Sequence, residues 1–264
     1  PLACVMQPKN QLQSQADGHL VKLDGLLVPM ESLTGGDRCE MFSLMRRHYA
    51  GVGQAAFDAD LSEKRWVIQV RHPATGRLCG FSTQMLLHVP VDRRVVNALF
   101  SGDTVIDRDH WGDQALARVW GRLALDIIDR SADGELYWFL ISQGYKTYRY
   151  LPLFFHEFYP RYDAPTSEGA QRVLDALAQH KFADAYHRTA GVVRARADQY
   201  RLREGIAELT DQRRRDPHVR FFDQRNPGHA AGDELCCLAP LTRQNFTSAA
   251  YRVIGAEYAA ASVP

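Results

Sequence analysis

The chain has 264 residues, 45% of them apolar and 24% charged, close to the averages of soluble globular proteins and long enough to bury a core without a disulfide or metal staple. These figures exclude intrinsic disorder, a collagen repeat and a coiled-coil rod, and 32 basic against 31 acidic residues leave no overall field to gather nucleic acid or anionic membrane. Five cysteines, without a C-x-x-C spacing, point to reduced thiols in the cytoplasm, and no apolar run approaches the roughly 20 residues that span a bilayer.

Residues 1–17 read as a polar leader. Residues 19–28 (HLVKLDGLLV) read as a first strand, ended by Pro29. Two helical stretches follow at 39–49 and 55–64, with Met41, Phe42, Met45 and Tyr49, then Phe57 and Leu61, at helical spacing. Three strands come next, at 66–71 (WVIQVR), 78–89 and 95–106, the first two parted by a turn at 72–76. A helix over 113–129 gathers Leu116, Val119, Trp120, Leu123, Ile127 and Ile128 on one face. Residues 136–142 (LYWFLIS) read as a buried strand, followed by a Tyr-rich segment at 143–155 and a short strand near 157–162.

Beyond it, residues 167–180 read as a helix capped by Thr166 or Ser167, residues 193–215 as a long Arg-rich solvated helix, and residues 248–261 as a last helix. A meander leading into a β–α–β unit predicts an α/β (α+β) domain over 18–163, and residues 164–264 read as a mostly helical extension packed on that core.

Chemistry concentrates in residues 100–120 (FSGDTVIDRDHWGDQALARVW), where a strand runs through a loop containing Gly112 into a helix. Helix N-termini present unpaired N–H groups and partial positive charge, which suit phosphate, and glycine lets a ligand approach the main chain. The same stretch also reads as an ordinary strand–loop–helix turn.

The segment Val105-Ile-Asp-Arg-Asp-His-Trp-Gly112-Asp-Gln-Ala-Leu116 resembles the V-x-P-x-x-W-G-x-G-like segment that follows the fourth strand in the GNAT superfamily of N-acyltransferases. Asp107 stands where proline is usual and Gln114 replaces the second glycine. After the fifth strand, Gln143, Lys146, Tyr150 and Phe155 are similar in spacing to the family's N-x-x-A-x-x-x-Y-x-x-x-G-F, with Tyr150 and Phe155 matching in kind. The resemblance covers residues 19–162.

It implies a GNAT-like mixed, mostly antiparallel central sheet flanked by helices, whose fourth and fifth strands splay apart. The pantetheine arm of an acyl-CoA or acyl-carrier-protein donor would lie between them, along Thr104, Val105 and Ile106. Its phosphates would meet Trp111, Gly112, Asp113, Gln114 and Ala115, with Ser142 and Tyr145 on the facing side. Asp109 and Asp113 add negative charge there. The acceptor would be an amine of a small molecule or peptide, attacking the thioester directly without a metal. Tyr150 fits the acid for the leaving thiolate, or packs in the core. Asp103 or His110 would be the base, although an Asp after Ser-Gly also serves to hold a loop.

The aromatic residues of 143–162, with Met85, Leu86 and Leu87, would either line a channel for a medium or long acyl chain or form ordinary core. Arg194, Arg196, Arg201, Arg203 and Arg213 to Arg215 are interleaved with Asp198, Glu204, Glu208 and Asp211 and read as a solvated face, with a docking patch for a carrier protein or the CoA 3′-phosphate as the alternative. The rival to an enzyme is a non-catalytic module of the same fold that binds an acyl thioester or a partner.

Overall fold

The computed structural model describes residues 22–131, 135–195, 201–203 and 208–255. The leader at 1–17, the start of the first strand, Arg196, Asp198, Glu204 and the end of the last helix lie outside them.

β1 (Asp24–Pro29), β3 (Trp66–Arg71), β4 (Leu78–Val91), β5 (Arg94–Ile106) and β6 (Leu136–Ser142) form the body of one eight-stranded sheet, completed by β10 (Glu234–Pro240), β8 (Val192–Val193) and β7 (Tyr186–His187) in the order β1-β3-β4-β5-β6-β10-β8-β7. Every pair is antiparallel except β5 with β6. A second, two-stranded sheet joins β2 (Tyr49–Ala50) to β9 (Arg201–Leu202).

Helices cover both faces. α3 (Ala115–Arg130) and α8 (Ser248–Ile254) lie on one face, where Trp120, Trp138, Phe155 and Phe246 share a core. Gly121 lets α8 approach closely, because a Cβ there would stand 2.3 Å from Ile254. The opposite face carries α1 (Gly35–His48) and α2 (Gln54–Ser62) over Val67, Phe81 and Val105, and α6 (Glu168–Phe182) over Phe100, Phe139 and Leu238. Thr34 and Asp37 close a capping box on α1, and Ser167 caps α6 through the Ala170 amide.

Three expectations change. The Tyr-rich segment is helical, as its place in the element order predicts, in two short pieces, α4 (Tyr145–Tyr148) and α5 (Tyr150–Phe154), but residues 157–162 make an isolated bridge at Tyr159 to Leu238 rather than the predicted strand. The Arg-rich region is not one helix, since its described residues form β8, β9 and a 3-10 turn at Arg213–Arg215. Beyond residue 163 the chain supplies α6, α7 (Pro217–Arg225) and α8, and also β7, β8 and β10 of the main sheet. β10 inserts beside β6 because its run ELCCLAP buries five consecutive residues, so both faces of that strand are covered.

Candidate active site

The two central strands part within the sheet. β5 and β6 pair from Asn97 with Leu136 to Ser101 with Leu140 and no further. Past that point β5 stays with β4 through Thr104, Val105 and Ile106, while β6 stays with β10 through Ser142. The cause is local. Between Ser82 and Gln84 of β4 the register slips against Ser101 and Thr104 of β5, an extra β5 residue that twists this strand away from β6. A chain of buried polar groups holds the slip. Trp138 Nε1 donates to Ser101 Oγ (2.9 Å), Ser101 Oγ to Gln84 Oε1 (2.7 Å), Gln84 Nε2 to Ser82 Oγ (2.7 Å), and Ser82 and Thr104 share a bond of 2.7 Å.

The gap opens a cavity of about 910 Å³, within the range of small-molecule sites. Its walls include Trp120 and Trp138 from one face of the sheet and Phe100 and Phe182 from near the other, so the cavity passes through the sheet. The edge Thr104, Val105 and Ile106 lines it, as do Asp103, Trp111, Gly112, Tyr145 and Tyr150.

Charged groups line both ends, and several are paired, Asp60 with Lys64, Arg149 with Asp216 and Lys181 with Glu63. On the α1 and α2 side stand Asp60, Asp103, Glu234 and the Tyr49 hydroxyl. Burial, then the charges of Asp103 and Asp60, push the Glu234 carboxyl up to about 8. Burial with Asp103 and Glu234 pushes the Tyr49 phenol far up. Asp60 is held by the buried Lys64 ammonium at 2.6 Å. His48 lines the same end; burial lowers its pKa against the opposing pull of Asp107, whose Oδ1 lies 3.7 Å from His48 Nε2. At the other end Lys146, Arg149 and Arg213 border the opening. Burial, and then Arg108, hold the Lys146 amine down to about 8. Tyr150, the first residue of α5 and part of the lining, has its phenol pushed up by burial and so stays protonated.

Several expected residues stand elsewhere. His110 does not line the cavity; its Nε2 lies 3.2 Å from Arg77 Nη2 on the 3-10 turn Arg108–His110. Asp113 is structural, accepting the Ala115 amide at 2.6 Å and the Leu23 amide at 3.2 Å, and so ties β1 to the start of α3. Gln114 is the exposed N-cap position of α3, Ala115 is buried, and Ser142 donates to the Gly144 carbonyl at 2.8 Å. Of the aromatic segment, Tyr145, Tyr150 and Phe154 line the cavity, whereas Tyr148, Phe155 and Phe158 are core, and Met85, Leu86 and Leu87 lie away from it. Sequence reasoning missed Glu234. Its signal was a carboxylate heading a strand apolar on both faces. Among the described residues no group of His, Cys, Asp or Glu could hold a metal, and no helix is long and apolar enough to cross a membrane.

No protein-family model and no curated protein matches the sequence. Among solved structures the chain is similar to a probable N-acyltransferase of Enterococcus faecalis at 13% identity, over 51% of this chain and 33% of that one, with a TM-score of 0.38. It is similar to a GNAT family N-acetyltransferase of Escherichia coli in complex with CoA at 17% identity, over 52% and 71%, with a TM-score of 0.35. A third is the Saccharomyces cerevisiae N-myristoyltransferase with bound myristoyl-CoA, at 10% identity, over 81% and 53%, with a TM-score of 0.36. The chain thus spans only 33% of the Enterococcus protein's length. The fold is a mixed, mostly antiparallel sheet with helices on both faces. In this sheet β5 and β6 are the fourth and fifth long strands, the pair for which the sequence resemblance implies a splay.

Proposed function

We propose that the protein is an N-acyltransferase that moves an acyl group from a pantetheine thioester to an amine by direct attack. The observation that carries this reading is a cavity running through a split sheet, with Lys146 and Arg213 in its lining at one end and the Asp103 and Glu234 carboxyls at the other. A phosphate-bearing thioester suits the cationic end and an ammonium suits the acidic end, so the two reactants meet in the gap from opposite faces of the sheet.

In the proposed step Glu234 takes a proton from the ammonium, and its carboxyl near 8 makes it a stronger base than an ordinary carboxylate. Asp103 keeps that end negative and orients the amine. The free amine attacks the thioester carbon, the C–N bond forms and the C–S bond breaks. Tyr150 gives its phenol proton to the departing thiolate and is restored by the second proton that the nitrogen loses as it becomes the amide, while Glu234 returns its proton to solvent. Trp120, Trp138, Phe100, Leu140 and Phe182 offer an apolar wall for a medium or long acyl chain. The donor would be acyl-CoA or an acylated carrier protein, and the acceptor a small molecule or peptide with a free amine.

Amine-dependent release of free thiol from acyl-CoA of increasing chain length tests the reading. The expected result is turnover that needs both donor and amine and is lost in Glu234→Gln. The second reading is a non-catalytic thioester-binding module, favoured by Asp113 occupying the Ala115 amide at the head of α3. Donor binding without thiol release under any amine would select it.

A further inference from the structure

If the gap seats a pantetheine donor, as the proposed function holds, an amide at the place where the resemblance puts the donor's phosphate is already taken by a carboxylate. The Asp113 carboxylate takes the Ala115 amide at 2.6 Å and the Leu23 amide at 3.2 Å. An anion brought to the head of α3 would meet that negative charge. Cations gather farther along the same rim. The Lys146 ammonium stands 3.0 Å from the Trp111 ring centroid, and the Arg108 guanidinium faces the same ring at 5.7 Å. Arg213 lies over the Tyr145 ring at 5.4 Å and donates to its hydroxyl. Trp111, Tyr145, Lys146 and Arg213 line the cavity, and Arg108 adjoins it through the Trp111 ring. Trp111 is 40% exposed, so this cluster is at the mouth and open to solvent.

We propose that Lys146, Arg108 and Arg213 form a side-chain phosphate site at this mouth, which holds the phosphate ester of the pantetheine donor in place of the α3 amides. Two aromatic rings position the three cations, so a phosphate need not order long flexible side chains when it binds. Arg108 and burial together hold the Lys146 amine below its ordinary range, a cost that a bound dianion or monoanion relieves. The shared chemistry is a phosphate on the pantetheine 4′ oxygen, present in CoA and in a phosphopantetheinylated carrier protein alike.

Calorimetric titration of the whole chain with pantetheine and with 4′-phosphopantetheine tests the site. The expected result is phosphopantetheine binding at least about tenfold tighter than pantetheine, the worth of one charge-assisted contact to phosphate. Lys146→Met and Arg108→Gln should each erase most of that difference and leave pantetheine affinity unchanged. Parallel titrations with CoA and a phosphopantetheinylated carrier protein identify the source, and Lys146→Met must weaken whichever binds wild type tighter. Pantetheine that binds equally well with and without its phosphate, or a phosphate preference that survives both substitutions, overturns this site while leaving the gap as a donor slot. Failure of every pantetheine compound to bind wild type overturns the donor reading and the phosphate site together.

Discussion

Trp138 donates its indole N–H to Ser101 Oγ at 2.9 Å, across the last rungs on which β5 and β6 remain joined. Ser101 hands the bond on to Gln84 at 2.7 Å, and so the point where the sheet opens is a fully buried relay rather than a frayed end. The strands thus part beside a chain of side-chain hydrogen bonds that runs from Trp138 through Ser101, Gln84 and Ser82 to Thr104.

Ser101→Ala should leave the Trp138 N–H and one Gln84 oxygen buried without that partner, at a cost of about 1–3 kcal/mol. Urea denaturation at neutral pH measures it. A wild-type midpoint with an unchanged slope would show that the relay does not hold the sheet open.

Glu234→Gln should lower kcat by at least about 100-fold, the lower range for loss of a general base. In the wild type, kcat at saturating donor should rise with pH through about 8 as the Glu234 carboxyl ionises. Lys146 loses its charge over the same interval, but that loss weakens donor binding and shows in KM, which separates the two groups. A wild-type kcat that stays level from pH 6 to 9 would remove Glu234 as the base.

The same carboxyl makes a stability prediction whose sign is opposite to that of an ion-paired carboxylate. Its folded pKa of about 8 stands above the ordinary 4.5. Between these values the folded chain keeps a proton that the unfolded chain has lost, so stability is full below the ordinary value and falls as pH rises toward 8. Glu234→Gln should match wild type near pH 4 and melt higher at pH 8.5, by roughly 3 °C or more, the shift that about 1 kcal/mol produces at this chain length. Thermal melts across that range decide it, and a gap between the two proteins that does not change with pH would contradict the burial of Glu234's charge.

Tyr150→Phe keeps the ring and its packing against Phe154, whose centroid lies 5.5 Å away, and removes only the acidic proton. It should lower kcat by about 10- to 100-fold with donor affinity unchanged. Equal turnover in the variant would leave the thiolate to be protonated by water.

Much of the fold was legible because its signals are local. WVIQVR and LYWFLIS are β-rich runs that become β3 and β6 with the bounds the sequence suggests, and the apolar face of α3 follows from its 3.6-residue spacing. The strand that completes the site was not legible. ELCCLAP carries no alternation, since both its faces are covered, and its neighbour β6 precedes it by about a hundred residues. The Arg-rich stretch suggested a helix through composition alone, whereas Arg201 and Leu202 pair with Tyr49 and Ala50, a long-range contact that overrides local preference. On the site, Asp103, Tyr150, Trp111 and the edge Thr104 to Ile106 come together in one cavity, because a strand end and the turn after its neighbour converge wherever the two strands part. His110 and Asp113 were adjacent in sequence to that cavity and yet turn away from it, drawn to Arg77 and to the amides of Leu23 and Ala115.

A crystal structure with a non-hydrolysable acyl-pantetheine analogue tests the central claim most directly. The account predicts pantetheine running beside Thr104, Val105 and Ile106, with the sulfur inside the sheet between Tyr150 and the Asp103 and Glu234 carboxylates. An analogue bound only on the outer surface, with Trp138, Tyr150 and Phe100 closing an empty gap, would contradict it.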